Sequence, residues 1–298
     1  MKILTIIVTY NGAKWVDRCF SSLQDSSIAV DVLVIDNGST DNTVSLIKGK
    51  FPKVKVIEPS ENLGFGKANN IGLKRVLEKN YDFAFLLNQD AWIERDTLCK
   101  LIDVYNSVKT EDVGILSPLH LSGSGTSIDR GFQNYLSGNN TPHFLSDLYL
   151  NNLKPYYKSG FVNAAAWLLP RICIEQIGGF DPIFEMYGED DDFYARVKRA
   201  GMEVFVVSQS RIYHDRPQVR KDKNRNYLKN EILKGAVLQL KKNKFKKSFL
   251  YRRILVNTIM LKFVYANNHK ELDKQVKIDK LSLKLFDKVD GDGGKLKV

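Results

Sequence analysis

Metal-like cysteine spacing is missing from this chain. Its three cysteines, Cys19, Cys99 and Cys173, form an odd set of widely separated positions, which excludes a zinc knuckle and a disulfide framework and points to a reducing compartment. Cys19 and Cys99 sit among apolar helix positions and Cys173 follows Ile172, so all three read as plain buried thiols. No run of about 20 apolar residues occurs, so no segment is expected to span a membrane. The opening "MKILTIIVTYNG" has the lysine and apolar run of a secretory leader, but the run is short and lacks a small-residue cleavage site; it reads as a first strand. The phosphate loop G-x-x-x-x-G-K-[ST] is absent. The nearest text to a dinucleotide fingerprint, G-F-G-K-A-N from Gly64, lacks the third glycine and follows the third strand instead of the first, which argues against a nicotinamide cofactor. Internal repeats are absent as well.

What is present is unevenly distributed. The net charge is +11 over 298 residues, with 43% hydrophobic and 27% charged residues, the composition of a globular protein. Residues 1 to 215 hold 22 Lys+Arg against 26 Asp+Glu, a balance of −4, whereas residues 216 to 298 hold 23 against 8, a balance of +15. The basic character therefore belongs to the C-terminal quarter, as in an appended region that meets an anionic surface, membrane or nucleic acid. The tail shows no nucleic-acid reading motif, so nucleic acid is not expected. Within it, "SFLYRRILVNTIMLKFVYAN" mixes Arg252, Arg253 and Lys262 with large apolar residues behind "KKNKFKK". Such a segment fits peripheral contact with an anionic membrane, packing on the rest of the chain, or a homodimer contact.

The first half alternates short apolar runs with helical periodicity. "ILTIIVTY", "VDVLVIDN", "KVKVIEP" and "YDFAFLLN" read as strands; between them Trp15, Val16, Cys19, Phe20 and Leu23, then Val44, Leu46 and Ile47, recur at helical spacing. This order predicts an α/β fold, a mostly parallel sheet with helices on both faces. Residues 120 to 160, rich in Gly, Ser and Asn, lack a long period and read as a functional loop region. "GFVNAAAWLLP" and "EVFVVSQS" return as strands, and the text beyond Arg216 is helical and basic before a polar end, "DGDGGKLKV", expected to be disordered. The expected division is a catalytic domain over 1–216 and a basic, mainly helical region over 217–298.

Several strands end in polar residues on what would be one sheet edge: Thr9, Tyr10 and Asn11; Asp36 and Asn37; Asn88, Gln89 and Asp90. Ligands of α/β sheets bind beyond the carboxyl ends of strands. Helix capping accounts for Ser39 or Asp41 in "DNGSTDNT" but not for Asp36, which follows an apolar run and suits a ribose hydroxyl or base N–H. Glycines at the start of the helix in "ENLGFGKANNIG" suit a phosphate. Asp90 suits a hard divalent cation bridging phosphates. "GEDDDFYARVKRAG" carries four consecutive acids, Glu189 to Asp192; a helix dipole favours some negative charge there, but four exceed a cap and fit a general base. His214 ends a strand, where it is either structural or a third metal ligand. Trp167 in "AAAWLL" suits either the core or an aromatic face on which a ligand stacks.

The ordered set "IIVTYNG", "VIDNGSTDNT", "NLGFGKANNIG", "LLNQDA", "GGFDPIFEMYGEDDDFYARVKRAG" and "IYH" resembles the family-2 glycosyltransferases of the GT-A (Rossmann-like) fold, and within them the bacterial rhamnosyltransferase-like branch. The resemblance covers about residues 1–216. It implies inverting transfer from a nucleotide-diphosphate sugar, dTDP-rhamnose or a UDP-sugar, to a hydroxyl of a glycan or lipid-linked acceptor in surface polysaccharide synthesis, with Mg²⁺ or Mn²⁺. Carried over by position, Thr9, Asn11 and Asp36 face the base and ribose, and Asn62, Gly64 and Asn69 line the nucleoside and diphosphate side. Asn88 and Asp90 stand at the family's D-x-D, Asp190 is the base, Glu189 and, where it is not core, Trp167 lie toward the acceptor sugar, and His214 completes the metal site. Asn88 replaces the first Asp of D-x-D, so Asp90 is left to bind the metal. Asp191, at the variable position of E-D-x-D, competes with Asp190 for the base assignment. The rival readings are a sugar-nucleotide nucleotidyltransferase, for which "TYNGAKW" is a poor phosphate loop, and a non-catalytic binding protein. The resemblance also implies a cytoplasmic protein, peripheral at the inner face of the cell membrane.

Overall fold

Strand β1 (Ile3–Thr9) is buried almost throughout, and its side chains divide between two cores. Leu4 and Ile6 face one core, Ile3 and Ile7 the other. In β2 (Asp31–Asp36) Leu33 and Ile35 oppose Val34. Strands covered on both faces need unbroken apolar runs, which is what these segments are. A computed structural model describes residues 1–108, 113–184, 187–216, 225–242, 247–263 and 269–286.

Along the chain, α1 (Val16–Gln24) follows β1, and α2 (Thr43–Lys50), β3 (Lys55–Ile57) and α3 (Gly64–Glu78) follow β2. Next come β4 (Phe83–Leu87), β5 (Ala91–Ile93), α4 (Thr97–Ser107) and β6 (Val113–Ser122). The 120–160 region holds more order than its composition suggests: α5 (Arg130–Gln133), α6 (Phe144–Tyr149) and β7 (Tyr156–Lys158). Then follow β8 (Ala166–Pro170), α7 (Arg171–Ile177), α8 (Glu189–Arg199) and β9 (Glu203–His214). Helices α1, α2 and α4 close one core; α3, α7 and α8 close the other. Cys19 and Cys173 are buried free thiols as expected, while Cys99 is partly exposed on α4.

The strands join in the order β3-β2-β1-β4-β8-β6-β9-β5, with β7 also on β9. Pairing is parallel from β3 to β4, as the alternating pattern implies. The sheet is nevertheless mixed, because β8 runs antiparallel to both β4 and β6. Two reversals restore direction, and β6 pairs parallel with β9. The carboxyl ends of β1, β2, β4, β6 and β9 therefore lie on one edge.

Beyond that sheet, α9 (Arg225–Lys242), α10 (Lys247–Phe263) and α11 (His269–Leu285) pack on one another through Ala236, Val237, Leu250, Val276 and Ile278, all buried. Among the described residues no helix is long and apolar enough to cross a membrane. The start of the expected C-terminal region at 217 and its expected disordered end both lie outside the described residues.

Helix α3 approaches the sheet closely at Gly72, where an added Cβ would lie 2.6 to 2.7 Å from three carbons of the fully buried Ile6. Alanine would gain about 1 kcal/mol in helix propensity, but overpacking a closed core costs about 1–3 kcal/mol. Gly72→Ala is therefore expected to lower the melting temperature, and combining it with Ile6→Val should restore part of the loss, measured by thermal unfolding.

Candidate functional site

The first two strand ends are tied into one loop system. Thr9 and Asp36 are register partners, and both are almost fully buried. Thr9 Oγ1 donates to Asp36 Oδ1 at 2.7 Å, Ser39 Oγ donates to the same oxygen at 2.6 Å, and the Ser39 amide donates to Oδ2 at 2.8 Å. Asp36 thus keeps lone-pair capacity on Oδ2 while its position is fixed from three sides. Asn11, with φ of 47°, accepts from the Thr40 amide at 2.8 Å through its Oδ1. Asn37 bridges to the next element: its Nδ2 donates to the Gly64 carbonyl at 3.3 Å, and its Oδ1 accepts from the Leu63 amide at 3.2 Å. Asn62 Oδ1 accepts from the Gly64 amide at 2.9 Å, capping the start of α3. Asn69 is 1% exposed, and its amide donates to Phe65 one turn back, so it serves the interior of α3 in this structure.

The stretch Leu87–Ala91 explains itself residue by residue. Gln89 clamps the end of β1: its Oε1 accepts from the Tyr10 amide at 3.0 Å and its Nε2 donates to the Tyr10 carbonyl at 3.1 Å. A Cβ on Gly12 would lie 2.1 Å from Gln89 Oε1, so a side chain there would push the Gln89 amide off the Tyr10 backbone. The Asn88 backbone amide donates to Ala165 and its carbonyl accepts from Ala91. Strand β5, which periodicity does not reveal, then pairs Ala91 with His214 on β9. That pairing sets Asp90 Oδ1 3.3 Å from His214 Nε2. His214 is 1% exposed, and neither of its ring nitrogens makes a hydrogen bond. In an octahedral shell with bonds of 2.0–2.1 Å, neighbouring donors lie about 3 Å apart, so an orphaned imidazole and a carboxylate at this spacing fit two positions around one cation. Among the described residues no third His, Cys, Asp or Glu joins them.

The acid run is sorted by its partners. Asp192 is fully buried between Arg196 Nε at 2.9 Å and Lys241 Nζ at 2.7 Å; Lys241, from α9, also donates to Asp181 at 2.6 Å. Arg196 is held in turn by the carbonyls of Ile177 and Gly179. Asp191 pairs with Lys234 of α9 at 3.1 Å. Among the described residues, Glu189 and Asp190 make no ion pair of this kind. Asp190 accepts from the amides of Asp191, at 2.9 Å, and Ala164. Burial, and then the charge of Asp191, push its pKa up to about 6. Burial, and then the charge of Asp190, push Glu189 up to about 7, and Glu189 Oε2 has no hydrogen-bond partner. Asp190 is only partly buried. A carboxylate with that pKa and residual access can hold or take a proton near neutrality.

The structure also adds residues that the sequence did not single out. Arg216, two residues beyond His214, pairs with the fully buried Asp129 through Nε at 2.9 Å and through Nη2. Its pKa also registers the charges of Tyr135 and Asp90. Tyr135 in turn is pushed up to about 12, by burial first and by Asp190 second. Arg216 thus feels the charge of Asp90, and Tyr135 that of Asp190. Trp15 Nε1 donates to Asp215 at 2.8 Å, and Asn70 bonds the backbone of Phe180, tying α3 to the segment before α8. A basic residue just after a strand-end histidine is the one signal that would have marked Arg216. Trp167 is a correction: it is fully buried, stacked on Phe180 at 6.3 Å and tilted against Phe193 at 5.7 Å, and offers no face to an acceptor ring.

Comparison with known proteins agrees with this geometry. Residues 5–155 match the sequence model of glycosyl transferase family 2, and residues 151–217 match that of the N-terminal domain of galactosyltransferase. The N-acetylglucosaminyl-diphospho-decaprenol L-rhamnosyltransferase of Mycobacterium tuberculosis is 27% identical over 231 residues, 70% of this chain and 75% of that protein. The O-antigen chain rhamnosyltransferase WbaN of Salmonella anatum is 26% identical over 223 residues, 72% of this chain and 66% of its own length. The crystal structure of GalNAc-T7 with UDP, GalNAc and Mn²⁺ superposes with a TM-score of 0.65 at 17% identity, over 96% of this chain and 56% of that one.

The buried Glu189 carries a stability cost with a defined sign. Its folded pKa of about 7 lies above the ordinary 4.5, so the folded state binds more protons across that window and loses stability as pH rises through it. Glu189→Gln is expected to be more stable than the parent at pH 8, by about 1–3 kcal/mol, and to lose that advantage toward pH 4.5. Urea unfolding at the two pH values measures it.

Proposed function

Because the chain belongs to glycosyltransferase family 2, and has the GT-A architecture, we propose that it moves a sugar, with inversion, from a nucleotide-diphosphate donor to a hydroxyl of a lipid-linked saccharide or glycan. The observation that carries this reading is the sorting of the acid run. Asp191 and Asp192 are committed to Lys234, Arg196 and Lys241, which leaves Asp190, among the described residues, as the part-exposed carboxylate with no ion pair of its own. This favours Asp190 over Asp191 as the base. The two rhamnosyltransferase relatives favour dTDP-rhamnose over a UDP-sugar as donor, and a lipid-linked acceptor presented at the cytoplasmic face of the cell membrane.

In this mechanism the base and ribose lie against the Thr9, Asn11 and Asp36 loop system. Asn62, Gly64 and the N-terminal turn of α3 favour the diphosphate, since unpaired amides and the helix dipole both attract an anion. Asp90 and His214 would hold Mg²⁺ or Mn²⁺, which supplies Lewis-acid stabilisation of the leaving diphosphate. Asn88 reaches the ribose or a metal-shell water. Asp190 takes the proton from the acceptor hydroxyl while its oxygen bonds to the anomeric carbon and the carbon–phosphate-oxygen bond breaks on the opposite face. Glu189, beside it, lies on the acceptor side.

The base assignment has a direct test. Asp190→Asn keeps the shape and removes the basicity, so nucleotide-diphosphate affinity should persist while transfer falls by at least about a hundredfold. Asp191→Asn should cost far less. With a pKa of about 6, the base loses its proton as pH rises, so kcat/KM should climb with pH up to about 6 and level above it. Unchanged transfer in Asp190→Asn would refute this reading.

The metal assignment is tested separately. EDTA is expected to abolish nucleotide-diphosphate release from the donor sugar, and added Mn²⁺ or Mg²⁺ to restore it. Asp90→Ala should remove most activity without lowering the melting temperature. A metal-stripped enzyme with full activity would overturn the role given to Asp90 and His214.

A further inference from the structure

Helix α10 is apolar on two sides, and only one of them is closed. On the inner side Leu250 is fully buried, and Arg253 bonds Asp279 of α11 through Nε at 2.8 Å and Gln239 of α9 through Nη2 at 2.6 Å. On the outer side Phe249, Tyr251, Leu255, Val256, Ile259 and Met260 are exposed by 44, 63, 62, 57, 46 and 46%. At 3.6 residues per turn, Tyr251, Leu255 and Ile259 form one row, Arg252, Val256 and Met260 form the row beside it, and Phe249 lies two turns before Val256, so the six apolar residues and Arg252 are one continuous stripe. Helices on the surface of a globular protein carry charge on that side, and a large exposed apolar patch marks something that covers it.

The charge around the stripe identifies the covering surface. The sequence has no acidic residue between Glu231 and Glu271, while Lys242, Lys244, Lys246, Lys247, Arg252 and Lys262 all fall within or just ahead of α10. A second copy related by a two-fold axis would set this positive strip against itself. An anionic lipid surface would cover the stripe and neutralise the strip at once. We infer that α10 lies flat in the surface of an anionic bilayer, with Tyr251, Leu255, Val256, Ile259 and Met260 at the boundary of the acyl chains and Lys247 and Arg252 at the level of the phosphates. The exposed Arg252, at the end of one apolar row, reaches that level along its aliphatic stem. The inference rests on α10 alone, so its failure leaves the transfer reading untouched.

The test is co-sedimentation of the full chain with vesicles of phosphatidylcholine alone or with one-third phosphatidylglycerol, at low and high salt. Strong partition is expected onto the anionic vesicles at low salt, weaker partition at high salt and weak partition onto neutral vesicles. Leu255→Glu with Ile259→Glu, both at exposed positions, should lower anionic partition by at least tenfold with an unchanged melting temperature. Should that variant fold poorly, a nitroxide on Leu255→Cys in a Cys99→Ser background should lose accessibility to aqueous relaxation agents when anionic vesicles are added. A chain that stays in the supernatant at low salt overturns the inference. So does a well-folded double variant that binds like the parent, or a dimer in sedimentation velocity that the double variant dissociates while neither form binds vesicles.

Discussion

An ammonium group closed off from water between two carboxylates joins the C-terminal helices to the acid run. Lys241 of α9 reaches Asp181 and Asp192, and Arg196 holds Asp192 from the other side. Buried ion pairs add little net stability, because desolvation offsets most of the attraction, yet removing one partner costs about 3–5 kcal/mol by stranding the other. The weight of such a contact lies in geometry. It fixes the first turn of α8 against the segment before it, and Arg196 extends the hold to the backbone at Ile177 and Gly179. The C-terminal helices are thus bonded to the elements that present the candidate base.

That hold turns four similar residues into three different ones. Asp192 becomes a structural anchor and Asp191 a half-buried partner of Lys234; burial raises Asp191 as well, but Glu189 and Asp190, which make no ion pair among the described residues, are pushed up to about 7 and about 6. Desolvation dominates both shifts, and the like charge beside each adds to it. Raised carboxylates destabilise the folded state at neutral pH, and the apolar cores on the two sheet faces offset that cost. A raised carboxylate pKa and stability at neutral pH are opposed here through the same two side chains.

On the other side of the site, position is set by strand pairing. The double reversal at β8 brings the end of β9 to the same edge as the ends of β1, β2 and β4. The three-residue strand β5 then aligns Asp90 with His214. Two hydrogen bonds from Gln89 to the Tyr10 backbone tie the end of β4 to the end of β1.

The order of the early elements, both core faces and the parallel half of the sheet were legible in the sequence, because doubly covered strands must be apolar throughout and amphipathic helices must repeat at 3.6 residues. The motif residues were legible as chemistry as well: acids, amides and a histidine at strand ends suit a nucleotide and a cation whatever surrounds them. Their sorting was not. Asp190, Asp191 and Asp192 read alike as text, and they differ only because Lys234 and Lys241, more than 40 residues later in the chain, meet two of them and not the third. Trp167 reads equally as core or as stacking face until β8 is found between two covered strands. Strand β5 is too short for any period, and Arg216 has no meaning until Asp129 and Tyr135 fold back beside it. Local pattern carries what each residue can do, because hydrophobicity and side-chain chemistry belong to the residue itself. Burial and counter-ion contact, which decide what it does, exist only once distant segments are brought together.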